Sequence, residues 1–154
     1  LGARREPLAR RFAKLSIGLG IAVMSLMGVL LYAAAPAMMG LMTQVPEIIE
    51  LGARALRIEA FAEPMFAAAI VTYGVFVGAG DTLAPCLMNL ASMWIVRLPA
   101  AFALSQAMGL AGVWLAMCGE LVLRGAAFLA RFRSGRWLKP LALSRPSAGS
   151  RADD

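Results

Sequence analysis

Residues 82–119 read TLAPCLMNLASMWIVRLPAAFALSQAMGLAGVWLAMCG, an apolar stretch that carries one charge, Arg97. Fifteen uncharged residues (82–96) precede it, twenty-two (98–119) follow it, and Pro99 stands two positions on. A guanidinium keeps its proton in a protein, so it must be paired or solvated wherever the chain places it. At mid-bilayer such a charge costs at least ~2.5–3.5 kcal/mol, which marks it as a functional position with a partner to be found.

Working outward, residues 15–46 carry no charge at all, 60% of the chain is apolar and its mean hydropathy is +0.74. A helix needs roughly 20 apolar residues to cross the hydrocarbon core, and several runs here reach that length. A soluble core would require polar faces on its helices, and most of this chain has none. The reading is an all-α integral membrane protein. Its net charge of +6 is concentrated at the flanks: five of fifteen cations lie in residues 1–14 and seven lie from Arg124 onward. That is the positive-inside pattern of a membrane protein, and it argues against nucleic acid as a partner.

Four spanning helices fit, at about 15–41, 47–78, 83–108 and 110–132, within a transmembrane region of 15–133. Residues 1–14 read as a basic cytoplasmic segment and 134–154 as a disordered cytoplasmic tail, with Trp137 as an interfacial anchor. Pro36 is expected to kink the first helix, and residues 43–46 to form a loop. Gly74 and Gly78 have the spacing of a close helix approach. Gly78, Gly80, Asp81 and Thr82 form a tight turn, glycine ending one helix and Asp81 or Thr82 capping the next. Four crossings put both basic ends on one side, the cytoplasmic side of the cell (inner) membrane. The lipid bilayer is thus a partner.

Counting ~1.5 Å per residue from the outer helix ends places Glu63 ~14 Å, Arg97 ~16 Å and Glu120 ~15 Å deep. Three ionisable groups on three helices therefore fall near one level, with Glu59 one turn shallower on the stripe of Glu63. Pro64 and Pro99 lie there too, and each strands a carbonyl four residues back, on Ala60 and Ile95. Freed carbonyls beside carboxylates suit a cation site or a hinge. Arg97 either forms a static pair with Glu63 or Glu120 that fixes packing, or takes part in ion coupling through an acid left unmatched. Cys86 and Cys118 are the only cysteines and there is no histidine, so a metal centre is not expected. The two cysteines also lie at different depths, which opposes a disulfide. No nucleophile–base set, phosphate loop or ligand cluster points to an enzyme. No cofactor is implied beyond a transported or coupling H⁺ or Na⁺.

Taken in order, Gly78-Ala-Gly-Asp-Thr82 with Pro85 and Asn89, Trp94-Ile-Val-Arg97-Leu-Pro99, Gly109-Leu-Ala-Gly-Val-Trp114, Ala116-Met117, Glu120, Arg124-Gly125 and Arg131-Phe132 resemble the multidrug and toxic compound extrusion (MATE) family. The resemblance extends over about residues 2–137. It implies a twelve-helix, two-lobe antiporter that exports small cationic, amphipathic compounds in exchange for H⁺ or Na⁺. This chain would supply its last third, four helices that are inactive without the missing N-terminal ones. Sodium-coupled members carry an acid on the tenth helix. Counting back from Asp81, that position is Phe66 here, with Glu63 the nearest carboxylate. Two other readings are a flippase for lipid-linked sugars or peptidoglycan precursor, and a small membrane subunit without transport activity. A leucine at position 1 and a basic opening run, rather than a signal peptide, suggest the end piece of a longer protein.

Overall fold

The computed structural model describes residues 6–138, and these are almost wholly helical. The helices are α1 (Glu6–Met42), α2 (Pro46–Gly78), α3 (Leu83–Met108) and α4 (Leu110–Ser134), each long and apolar enough to cross a membrane. They define an all-α, multi-pass membrane protein. A 3₁₀ turn, Arg136–Leu138, follows α4.

The inner bounds match the expected spans closely, but α1 starts nine residues earlier than the hydropathy suggests. Glu6 stands in its first turn with Pro7 beside it, both favourable at a helix start because the first backbone N–H groups have no acceptor and carry positive charge. The basic segment from Glu6 to Lys14 is therefore helix continuous with the span. Pro46 opens α2 in the same way, with Glu47 in its first turn. Residues 1–5, and the tail from 139 on that was read as disordered, lie outside the described residues.

Glycine shapes three turns, at Gly80, Gly109 and Gly135, all with positive φ. The turn between α3 and α4 is one residue long, and its compactness depends on Gly109 (φ 60°, ψ −136°), a conformation side chains oppose.

In space, α2 packs against α1 on one side and α4 on the other, and α3 packs on α4. The main apolar cluster lies at the end of the bundle that carries the chain's basic flanks. It joins Ala13 and Ile17 of α1, Phe76 and Ala79, Phe128 and Phe132 of α4, and Trp137 and Leu138. Phe76 stacks on Phe128 with ring centroids 5.9 Å apart, and Phe132 on Trp137 at 5.5 Å. Trp137 is 1% exposed, and its indole N–H donates to the Phe132 carbonyl at 3.2 Å. It is a core residue, not a surface anchor, because the 3₁₀ turn folds it back under the bundle.

Three close backbone approaches set the helix registers, and the tightest joins α3 and α4, where a Cβ on Gly112 would overlap the Leu104 carbonyl. A Cβ on Gly28 would stand 2.7 Å from the Ala60 carbonyl oxygen, and one on Gly125 would stand 2.6 Å from that of Met65. Gly74 and Gly78 have nothing within 4 Å, so the glycine pair singled out by its spacing makes no close approach among the described residues.

Candidate functional site

Three prolines lie inside these spans, and each frees a carbonyl that the structure treats differently. Pro36 frees Tyr32, whose carbonyl receives a long hydrogen bond from the Arg57 guanidinium at 3.5 Å, while that guanidinium sits 5.2 Å from the Tyr32 ring centroid. Pro64 frees Ala60, and the bare backbone of Gly28 packs against that oxygen. The expected cation site at the Ala60 carbonyl is thus covered by α1. Pro99 has no N–H to give Ile95, and the turn before it, Ser92–Arg97, widens into a π-helix. The Leu98 N–H reaches back five residues to Met93. A π turn beside proline absorbs the missing bond and bends the helix.

The charged residues do not pair as depth counting suggests. Glu120 is 1% exposed and lies 3.3 Å from Arg124 Nε, one turn along the same helix. Ser92, the first residue of the π turn, donates its hydroxyl to the same Glu120 oxygen at 2.5 Å. Arg124 extends to α3, donating to Asn89 Oδ1 at 3.2 Å. Arg97, at the far end of the π turn, forms no ion pair among the described residues. The expected Arg97–Glu120 pair is therefore replaced by Glu120–Arg124. An i,i+4 partner on the same helix already lies within reach, whereas a partner across helices must be placed by packing.

Glu59 and Glu63 are half-buried on α2, and each has one carboxylate oxygen buried without a hydrogen-bond partner. Neither forms an ion pair among the described residues. Glu63 and Arg97 are the charged groups close enough to act on Glu59. Glu63 also lies beside Gly28 of α1, its Cβ 3.5 Å from where a Gly28 Cβ would be. Phe66, the position the resemblance assigns to an acid, lines a cleft of about 120 Å³ with Ala69, Ile70, Tyr73, Asn89 and Arg124.

The turn at 78–82 departs from expectation in one respect. Thr82 is the N-cap residue of α3, yet no side chain caps that helix. The Asp81 carboxylate instead accepts from Arg131 of α4 at 2.6 Å, with the guanidinium 5.7 Å from the Phe76 ring centroid. The pair ties the turn to the aromatic cluster. Cys86 and Cys118 are both free thiols.

Sequence reasoning gave no site role to Arg124, Asn89 or Ser92, although the first two stand among the residues that carry the family resemblance. It counted Arg124 among the basic flanks, although the Glu120–Arg124 spacing of four was visible.

Four apolar helices with ionisable groups held inside the bundle define a multi-pass membrane protein. The MatE family model matches residues 1–103, two thirds of the chain, and the chain belongs to that family. α4 lies beyond the match. A Thermotoga maritima protein described as a probable multidrug resistance protein NorM is 29% identical over 120 residues, which is 77% of this chain and 26% of the relative. A Deinococcus radiodurans protein of the same description is 31% identical over 146 residues, 88% of this chain and 32% of the relative. An uncharacterized transporter of Bacillus subtilis, YisQ, is 31% identical over 104 residues, 66% of this chain and 23% of the relative. The chain thus spans a quarter to a third of these relatives.

Proposed function

We propose that this chain forms the last four of twelve helices in a MATE-type secondary antiporter, with Glu59 and Glu63 as the acids that exchange H⁺ or Na⁺ in this lobe. The observation that carries the reading is the pair of intramembrane carboxylates with buried, unpartnered oxygens on one face of α2. A buried anion without a counter-charge costs several kcal/mol, so a bound proton or cation stabilises it, and its release can drive a change of state. The substrates are small cationic, amphipathic compounds, a reading that follows the family resemblance, and the description of two relatives as multidrug resistance proteins supports a drug exporter. The coverage of those relatives supports the four-of-twelve assignment. Both ends of the bundle's basic face are cytoplasmic, which the clustering of Arg10, Arg11, Lys14, Arg131 and Arg133 there supports.

The test uses the whole transporter in membrane vesicles, with uptake of a cationic dye driven by an imposed proton or sodium gradient. Glu59→Gln and Glu63→Gln should each lower gradient-driven uptake while leaving dye binding within about ten-fold of wild type, since the amide keeps shape but carries no exchangeable charge. If both variants transport at wild-type rate with unchanged ion dependence, the coupling role passes to residues outside this chain.

The flippase reading would require several unmatched deep cations for a pyrophosphate. The structure adds Arg124 to Arg97, but Arg124 is compensated by Glu120, so the antiporter reading remains the better one.

A further inference from the structure

All three acids keep one buried carboxylate oxygen without a hydrogen-bond partner, but Glu120 has a cation beside it, and Glu59 and Glu63 have none within ion-pair distance among the described residues. We propose that Glu120 is a positioning residue, clamped by Arg124 and Ser92, whose task is to fasten the start of the α3 π turn onto α4, and that it takes no part in the ion cycle. The proposal rests on the antiporter reading and narrows it, because it removes one of the candidate coupling acids.

The argument runs from charge balance and contact. Glu120 Oε1 holds two partners on two elements: the Ser92 hydroxyl on α3 and Arg124 on its own helix. Arg124 in turn holds Asn89, one turn before Ser92, so α3 is gripped at two successive turns by one charged pair on α4. Gly125, the next residue, is where α4 lies closest to α2, which fixes the depth and direction of Arg124. Both side chains are shielded, Glu120 1% and Arg124 14% exposed. Toward the Gly109 turn α3 is also held where Gly112 of α4 lies against the Leu104 backbone, but the most apolar part of the helix buries no residue against the others.

A proton or Na⁺ bound to Glu120 would turn this neutral pair into a buried, uncompensated Arg124 cation. The same ion bound to Glu59 or Glu63 would remove an uncompensated anion. Breaking a buried pair is strongly unfavourable because one charge is left alone, so the entering ion is directed to α2. Other ionisable groups within the spans are Tyr73 on α2, which lines a cleft with Asn89 and Arg124, Arg97 on α3 and Cys118 on α4. Arg97 is the cation that acts on Glu59, and it forms no ion pair with Glu120. The clamp also sits at one end of the π turn and Arg97 at the other, so the grip on Ser92 fixes where the widened turn begins and thus the direction in which Arg97 faces.

The experiment is a charge-compensation cycle in the whole transporter, reconstituted in vesicles with an imposed ion gradient: Glu120→Gln, Arg124→Gln, the double variant, and Ser92→Ala. Each single charge removal should lower the initial uptake rate about ten-fold or more, because it strands a buried charge. The double variant should recover to within about three-fold of wild type, since two neutral amides can still bridge Ser92 and Asn89, and it should keep the wild-type dependence on pH and sodium. Ser92→Ala should lower the rate without altering that dependence. A double variant as inactive as Glu120→Gln, or one that transports with a shifted pH or sodium dependence, would overturn the proposal, and so would single variants that behave as wild type. Detergent melting of all four proteins covers the case in which a single variant fails to fold: compensation must then appear as recovered melting in the double variant. A wild-type protein without gradient-driven uptake would defeat the antiporter reading instead, and the melting cycle would still report whether the clamp exists.

Discussion

Gly125 is a position where the consequence of a single added carbon can be worked from the structure. A Cβ there would lie 2.6 Å from the Met65 carbonyl oxygen and 3.1 Å from both its carbon and the Met65 Cβ. A comfortable carbon–oxygen contact is about 3.3–3.6 Å, so α4 must move off α2 by roughly 0.7–1 Å. The obstacle is helix backbone and cannot rotate away. A gap of that size forfeits a quarter to a half of the dispersion energy at each lining contact, and the first contacts affected are Phe128 on Phe76 and on Tyr73. Gly125→Ala is expected to destabilise the folded transporter by about 1–3 kcal/mol, the usual range for overfilling a packed site. The internal control is Gly119 on the same helix, which has nothing within 4 Å. Gly119→Ala should lie within about 0.5 kcal/mol of wild type, as surface substitutions do. Steric-trap or denaturant unfolding of the whole protein in detergent measures both. Equal effects from the two substitutions would mean that α2 and α4 are not in this register, and the placement of Arg124 would fall with it.

Other expectations follow from the same packing. Gly28→Ala should resemble Gly125→Ala, costing about 1–3 kcal/mol, because its Cβ would meet the Ala60 oxygen that Pro64 leaves free; an unchanged unfolding midpoint would refute the close approach. Trp137→Ala should lower stability by about 3–5 kcal/mol, the range for a buried aromatic, whereas a residue lying at the bilayer surface would show much less in the same detergent assay. Arg131→Gln removes the partner of Asp81, so backbone amides at residues 79–82 should exchange faster with deuterium while those in the middle of α2 do not; uniform protection would show that the pair does not hold the turn.

Much of the fold was legible because it is local. The lengths of the charge-free runs define four spans, and Gly80, Gly109 and Gly135 mark turns whose φ values only glycine adopts easily. The start of α1 escaped because hydropathy reports where the chain meets lipid, not where its helix begins, and Pro7 with Glu6 were the signals to read. The candidate site was legible in its residues and not in its pairings. Glu59, Glu63, Arg97 and Glu120 are all conspicuous as charges in apolar helices. Depth counting assumed that α3 and α4 advance at one uniform rise from a common end, and the π turn at Ser92–Arg97 breaks that assumption.

The sequence by itself therefore determined that this is an all-helical membrane protein with acids on its second span, since composition and helical periodicity act within one segment, and the order of its motifs carried the family resemblance. Only the tertiary structure decided that Arg124 rather than Arg97 answers Glu120, that the Ala60 carbonyl is closed by Gly28, that Asp81 holds Arg131 instead of capping a helix, and that Trp137 is buried. The physical reason is common to all four. Which side chains meet across helices depends on register, and register is set by where two backbones approach without a Cβ between them, at Gly28, Gly112 and Gly125.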